Sequence, residues 1–109
     1  MSDRRKIAVD LDGTLAYYDG EFNGPECIGE PIPAMMRRVK MWIAQGKTVC
    51  IFTARAAYKE NIQPIREWLR KHGLPDLEIT NEKTHDIEIL YDDRARQVVC
   101  NTGVIVSGK

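Results

Sequence analysis

At 109 residues the chain is long enough for one domain with one core and too short for two. Its 43% apolar and 29% charged residues are ordinary for a globular protein, and sixteen basic residues balance sixteen acidic ones, so there is no global electrostatic case for binding nucleic acid or an anionic membrane. No apolar run approaches a membrane span, MSDRRK lacks the apolar stretch of a signal peptide, and Cys27, Cys50 and Cys100 show no C-x-x-C spacing, so a cytoplasmic protein with reduced thiols is expected.

The first element is also the most informative. Residues Ile7–Leu15 read IAVDLDGTL, a short apolar run ending in an acid, as in a buried parallel strand. Side chains alternate along a strand, so Asp10 and Asp12 are expected to point the same way as it leaves the sheet. Gly13 permits a tight turn and a close approach of ligand to backbone, with Thr14 beside it. Residues 16–29 are rich in Gly, Pro, Asn and Asp and read as a loop or small hairpin above the two acids. Tyr17, Tyr18 and Phe22 either shape a pocket there or pack the loop's own underside.

Pro33 opens a helix that continues through Gln45 and stops at Gly46. Met35, Met36, Val39, Trp42 and Ile43 give it one apolar face, while Arg37, Arg38 and Lys40 fall largely on the solvated side. Thr48–Phe52 is a second apolar strand, ending in Thr53, Ala54 and Arg55; Cys50 within it reads as a small core residue. A second helix covers residues 61–72, closed by Gly73, with Ile62, Ile65 and Leu69 inward, Trp68 alongside and Pro64 in its first turn. Leu77–Thr80 is a short strand candidate, and Ile87–Tyr91 a stronger one that runs into Asp92 and Asp93. Val98–Cys100 and Val104–Val106 are expected as edge strands with a turn at residues 101–103.

Strands alternating with helices imply an α/β fold, a parallel sheet with helices on its faces and a ligand site beyond the carboxyl ends of the strands. The polar residues fall at those ends: Asp10 and Asp12, Thr53, Lys83 after the third strand, Asp92 and Asp93. Several carboxylates in one place repel one another unless a cation joins them, and oxygen ligands suit Mg²⁺, which bridges readily to phosphate. A Lys and a Thr hydroxyl nearby would hold phosphoryl oxygens. One carboxylate is then free to attack phosphorus and another to move the proton, two roles that acids two residues apart can fill.

In order and spacing, DLDGT, the apolar strand ending in Thr53, a later Lys and the strand ending in Asp92–Asp93 resemble the four motifs of the haloacid dehalogenase superfamily, over Ile7 to Arg94. The resemblance implies a three-layer, Rossmann-like α/β domain over residues 1–109, with a central, mainly parallel sheet. It implies Asp10 as nucleophile and Mg²⁺ ligand, and Asp12 as acid/base that also offers its backbone carbonyl to the metal. Thr53 and Lys83 would grip the phosphoryl group, and Asp92 and Asp93 would complete the metal site. From their positions beside these motifs, Gly13, Thr14, Tyr17 and Arg55 are the candidate substrate contacts. An acid at the second motif position favours a phosphatase, so the expected activity is Mg²⁺-dependent hydrolysis of a phosphomonoester through an aspartyl phosphate.

One departure concerns Lys83. The superfamily usually inserts a helix between its Lys and its fourth strand, but only Thr84 to Asp86 separate Lys83 from Ile87, where a parallel crossover normally takes a dozen or more residues. Either the connection is a tight turn or an extended segment, or Leu77–Thr80 is not a regular parallel strand. His85 reads as exposed, Arg94 as a partner of the acids, and Arg55 as either a substrate contact or such a partner.

The gaps between motifs leave no room for a cap domain. Water exclusion then falls to residues 17–29, to a neighbouring subunit in a homo-oligomer, or to a bulky substrate such as a nucleotide or a polynucleotide end. Two other readings stand beside the hydrolase: a non-catalytic domain that binds metal or phosphate, and a phospho-receiver signalling domain. The order of the acids along the chain argues against the receiver.

Overall fold

β1 (Lys6–Val9) is an inner strand of the sheet in the computed structural model, which describes residues 5–106. β2 (Thr48–Phe52) and β4 (Ile87–Tyr91) flank it, and β3 (Glu78–Thr80) lies outside β2, giving the order β3-β2-β1-β4 with every pairing parallel. The bounds of β2 and β4 are those expected from the apolar runs.

α1 (Pro33–Ala44) starts with a proline whose missing N–H needs no partner at that position. α2 (Ile62–Lys71) places Pro64 third, within the first turn, where it breaks no hydrogen bond. Two residues past its end, Gly73 takes a φ of 82°, which lets the Leu74 amide reach back to the Leu69 carbonyl at 2.9 Å.

Both helices bury their apolar stripes against the same sheet face. Met35, Met36 and Val39 of α1 and Ile65, Trp68 and Leu69 of α2 join Val9, Val49 and Ile51 in one cluster, with Ile7 and Ile79 at its edge. Alternation puts Lys6, Ala8, Cys50 and Glu78 on the other face. Residues 81–86 return from the carboxyl end of β3 to the amino end of β4 at the opposite edge, and a right-handed connection in that direction crosses this second face. Among the described residues no helix lies there, so an extended strap stands where a third layer was expected. The strap is stitched down by Lys6, whose amide donates to the Asp86 carbonyl and whose Nζ pairs with Glu78 at 2.8 Å and Asp86 at 3.3 Å. Ala8 and Cys50 are fully buried, and burial pushes the Cys50 thiol up to about 11. Of the two alternatives for the link at Lys83, the extended segment is therefore the one observed, and β3 is a regular parallel strand.

The carboxyl-terminal strands differ from expectation. β5 (Gln97–Val98) and β6 (Ile105–Val106) pair antiparallel with each other, as a two-stranded ribbon separate from the main sheet. The turn between them explains this: Asn101 and Gly103 take positive φ values of 67° and 78°, and the Val99 amide donates to the Val104 carbonyl at 2.8 Å. Closing so short a loop costs less entropy than pairing with a distant edge. Among the described residues, no helix is long and apolar enough to cross a membrane.

Candidate functional site

The turn after β1 is built around buried leucines. Leu11 and Leu15 are fully buried, and the Leu11 carbonyl accepts from the amides of Leu15 at 3.0 Å and Ala16 at 2.8 Å. Anchoring these two side chains inward turns the intervening polar residues outward, at the carboxyl end of the sheet. Gly13 has φ 91°, and a Cβ there would lie 2.6 Å from Asp93 Oδ2, so no other residue fits without displacing that carboxylate.

Asp10 and Asp12 both line one cleft of about 770 Å³, but their side chains engage different neighbours. Asp10 turns towards the end of β4. It, Asp92 and Asp93 each offer an oxygen within 4.8 Å of the others. Thr14 Oγ1 sits between them, 3.3 Å from Asp10 Oδ2 and 3.1 Å from Asp93 Oδ1, and accepts from the Asp93 amide at 3.0 Å. Its single proton can satisfy only one carboxylate at a time. The Asp10 carboxyl is accordingly pushed up to about 7, by burial first, then by the Asp92 charge and by Asp93, while Thr14 opposes the shift. Three acids held this close suit a hard cation with oxygen ligands.

Asp12 turns instead towards Arg55. Arg55 Nε and Nη2 donate to its two carboxylate oxygens at 2.7 and 3.0 Å, a bidentate pair, and the remaining donors go to the carbonyls of Gly24, Pro25 and Cys27. Arg55 is 6% exposed, and its guanidinium stacks on Phe22 at 4.9 Å. Of the two readings of Arg55, partner of the acids is the one the geometry favours, and the same group ties down the loop of residues 17–29. The Trp68 indole N–H adds a second tie, to the Gly29 carbonyl at 2.9 Å.

Thr53 stands at the end of β2, buried, and lines the cleft. Its amide donates to the Thr80 carbonyl and its hydroxyl oxygen accepts from the Arg55 amide at 3.1 Å, which leaves the hydroxyl proton available. Asp92 also lines the cleft, and its carboxylate accepts from the Arg94 amide at 2.8 Å.

Of the expected residues, Gly13, Thr14 and Asp93 are not in the cleft wall but adjoin it through their contacts with one another and with Asp10, whereas Lys83 and Tyr17 are placed apart from it. Lys83 is exposed on the strap and is not part of the cleft wall, because the strap leaves the carboxyl end of the sheet at Asn81. Tyr17 is 64% exposed and lines a smaller adjoining hollow, while Tyr18 and Phe22 reach the main cleft. A loop has no periodicity from which that difference is readable. Asn81 and Tyr58 also line the cleft. Asn81 directly follows β3, so the rule that ligands gather at carboxyl ends of strands would have found it; for Tyr58 there was no comparable signal.

No protein-family model matches the chain, and no curated protein does. A solved structure of a conserved protein from Bacteroides thetaiotaomicron is similar, with a TM-score of 0.63 and 24% identity over 83% of this chain and 76% of that one. At that identity the likeness concerns the fold: a four-stranded parallel sheet flanked by helices, consistent with a Rossmann-like architecture.

Proposed function

We propose that the chain is a capless, haloacid dehalogenase-like phosphomonoester hydrolase that works with Mg²⁺ through an aspartyl phosphate. The observation that carries this reading is the convergence of Asp10, Asp92 and Asp93 within 4.8 Å at the carboxyl ends of β1 and β4, at a cleft that Thr53 also lines. The connections support the absence of a cap: residues 16–32 hold only isolated bridges, and β2 and β3 are joined through two 3₁₀ turns and α2.

Asp10, Asp92 and Asp93 would hold the Mg²⁺, which would relieve their repulsion and draw charge from phosphoryl oxygens. Asp10 attacks phosphorus through a carboxylate oxygen, the ester bond breaks, and Asp12 delivers a proton to the leaving oxygen. Water then attacks the aspartyl phosphate, Asp12 takes its proton, and phosphate and free Asp10 are released. Thr53 donates its hydroxyl proton to a phosphoryl oxygen. Arg55 must give up one oxygen of Asp12 before that residue can carry a proton, since it now engages both. The open cleft suits a bulky phosphoester such as a nucleotide or polynucleotide end.

Hydrolysis of p-nitrophenyl phosphate with Mg²⁺ and with EDTA tests the reading. Turnover that EDTA removes is the expected result; unchanged turnover in EDTA would overturn the metal assignment. A second reading, a domain that binds metal and phosphate without turnover, is favoured by the occupied oxygens of Asp12. It predicts metal binding with no hydrolysis of any phosphoester in a broad panel.

A further inference from the structure

We propose that Arg94 is the cation that grips phosphate in this cleft, in the place the sequence resemblance gives to Lys83; this rests on the phosphoester reading above. Arg94 lines the cleft with Asp10 and Asp92, whereas Lys83 does not. Its amide is fixed on Asp92 Oδ1 at 2.8 Å, which places the residue at the turn leaving β4, while its guanidinium has no hydrogen-bond or ion-pair partner among the described residues. The other guanidinium of the cleft is fully spent. Arg55 directs Nε, Nη1 and Nη2 to Asp12 and to three loop carbonyls, which uses its five N–H donors.

Charge balance calls for such a group. Asp10, Asp92 and Asp93 together exceed the charge of one divalent ion, so an incoming phosphate dianion meets net repulsion unless another cation faces it. The planar fork of Arg94 can meet two phosphate oxygens in a fixed bidentate geometry, where a lysine ammonium acts as a point charge. The ligand class is therefore a terminal phosphate, or free inorganic phosphate, approached from the β4 side of the cleft.

Titration of the full chain with inorganic phosphate in Mg²⁺, followed by calorimetry or by NMR shifts, tests this directly. Arg94→Ala should weaken phosphate binding roughly tenfold or more, Arg94→Lys should recover part of the loss, and Lys83→Ala should cost less than Arg94→Ala. Arg94 is exposed, so its variants should melt like wild type. Wild-type affinity in Arg94→Ala, a larger loss in Lys83→Ala, or no phosphate binding by the wild type would overturn the proposal. Turnover of p-nitrophenyl phosphate separates the two readings: a protein that binds phosphate through Arg94 and leaves the ester intact removes the hydrolase and keeps the grip.

Discussion

Asp10 and Asp12 are two residues apart in one turn, and they live in opposite electrostatic settings. Asp10 faces two further acids and one shared hydroxyl, so its charge is resisted. Asp12 faces a buried guanidinium that meets both of its oxygens. The contrast shows how a single D-x-D turn can separate two tasks. The carboxylate left without a counter-charge is the one prepared for a cation; the compensated one is held in place, anchors a loop, and can carry a proton only once Arg55 frees one of its oxygens.

The largest expected effect is on turnover. Under the hydrolase reading, Asp10→Asn removes the attacking oxygen and should abolish both turnover and any trapped aspartyl phosphate. Asp12→Asn should cost ~10²–10⁴-fold, the usual range for a lost proton-transfer group. The division of labour fails if phosphate is trapped on a residue other than Asp10, or if Asp12→Asn keeps near wild-type rates.

Stability should divide the two acids in the opposite sense. Asp12→Ala strands the buried Arg55 charge and loosens the loop, and should destabilise the fold by about 3 kcal/mol, because the surviving partner of a broken buried pair stays desolvated. Asp10→Asn removes a resisted charge and should stabilise the metal-free protein. Urea unfolding in EDTA measures both, and equal signs for the two variants would show that the two acids do not differ in electrostatic setting.

Much of this site was legible from the chain, and the reason is local. The apolar runs that end in Asp10, Thr53 and Asp92–Asp93 are strands whose ends must lie at one edge of a parallel sheet. Placing those residues together needed only strand direction. What was not legible depends on partners far apart in sequence. Arg55 and Asp12 are separated by 43 positions, and nothing in either residue's neighbourhood announces a bidentate pair. Motif order places Lys83 after a strand, but where its side chain lies depends on the link that follows, and the strap of residues 81–86 is too short to form a helix and carries it outside the cleft wall. The terminal strands were legible as strands, yet a tight turn at Asn101 and Gly103 made them each other's partners.

The pH dependence of stability sharpens the comparison further. In the metal-free protein Asp10 binds its proton up to about 7, while in the unfolded chain it releases it near the ordinary 3.8. Between those values the native state holds more protons, so this group's contribution is present at low pH and is lost as pH rises through about 7. Thermal melts in EDTA should therefore decline across that window, and saturating Mg²⁺ should flatten the decline by replacing the proton. A metal-free protein whose melting temperature rises through the same window would contradict the acid cluster around Asp10.

The smallest expected effect concerns the loop that Asp12 helps to hold. Residues 17–29 are tied to the body twice: by Arg55, which itself rests on Asp12, and by the Trp68 N–H on the Gly29 carbonyl. Trp68 also packs in the core at 7% exposure, so Trp68→Phe keeps an aromatic ring inside and deletes the donor. The expected cost is about 1 kcal/mol, a drop in melting temperature of roughly 4–8 °C for a domain of this size. Limited proteolysis within the loop should rise only modestly in this variant and steeply in Asp12→Ala, because the guanidinium supplies three carbonyl contacts and the indole one. If Trp68→Phe exposes the loop as much as Asp12→Ala does, the loop is held by its packing on α2, and the Asp12–Arg55 pair serves the cleft alone.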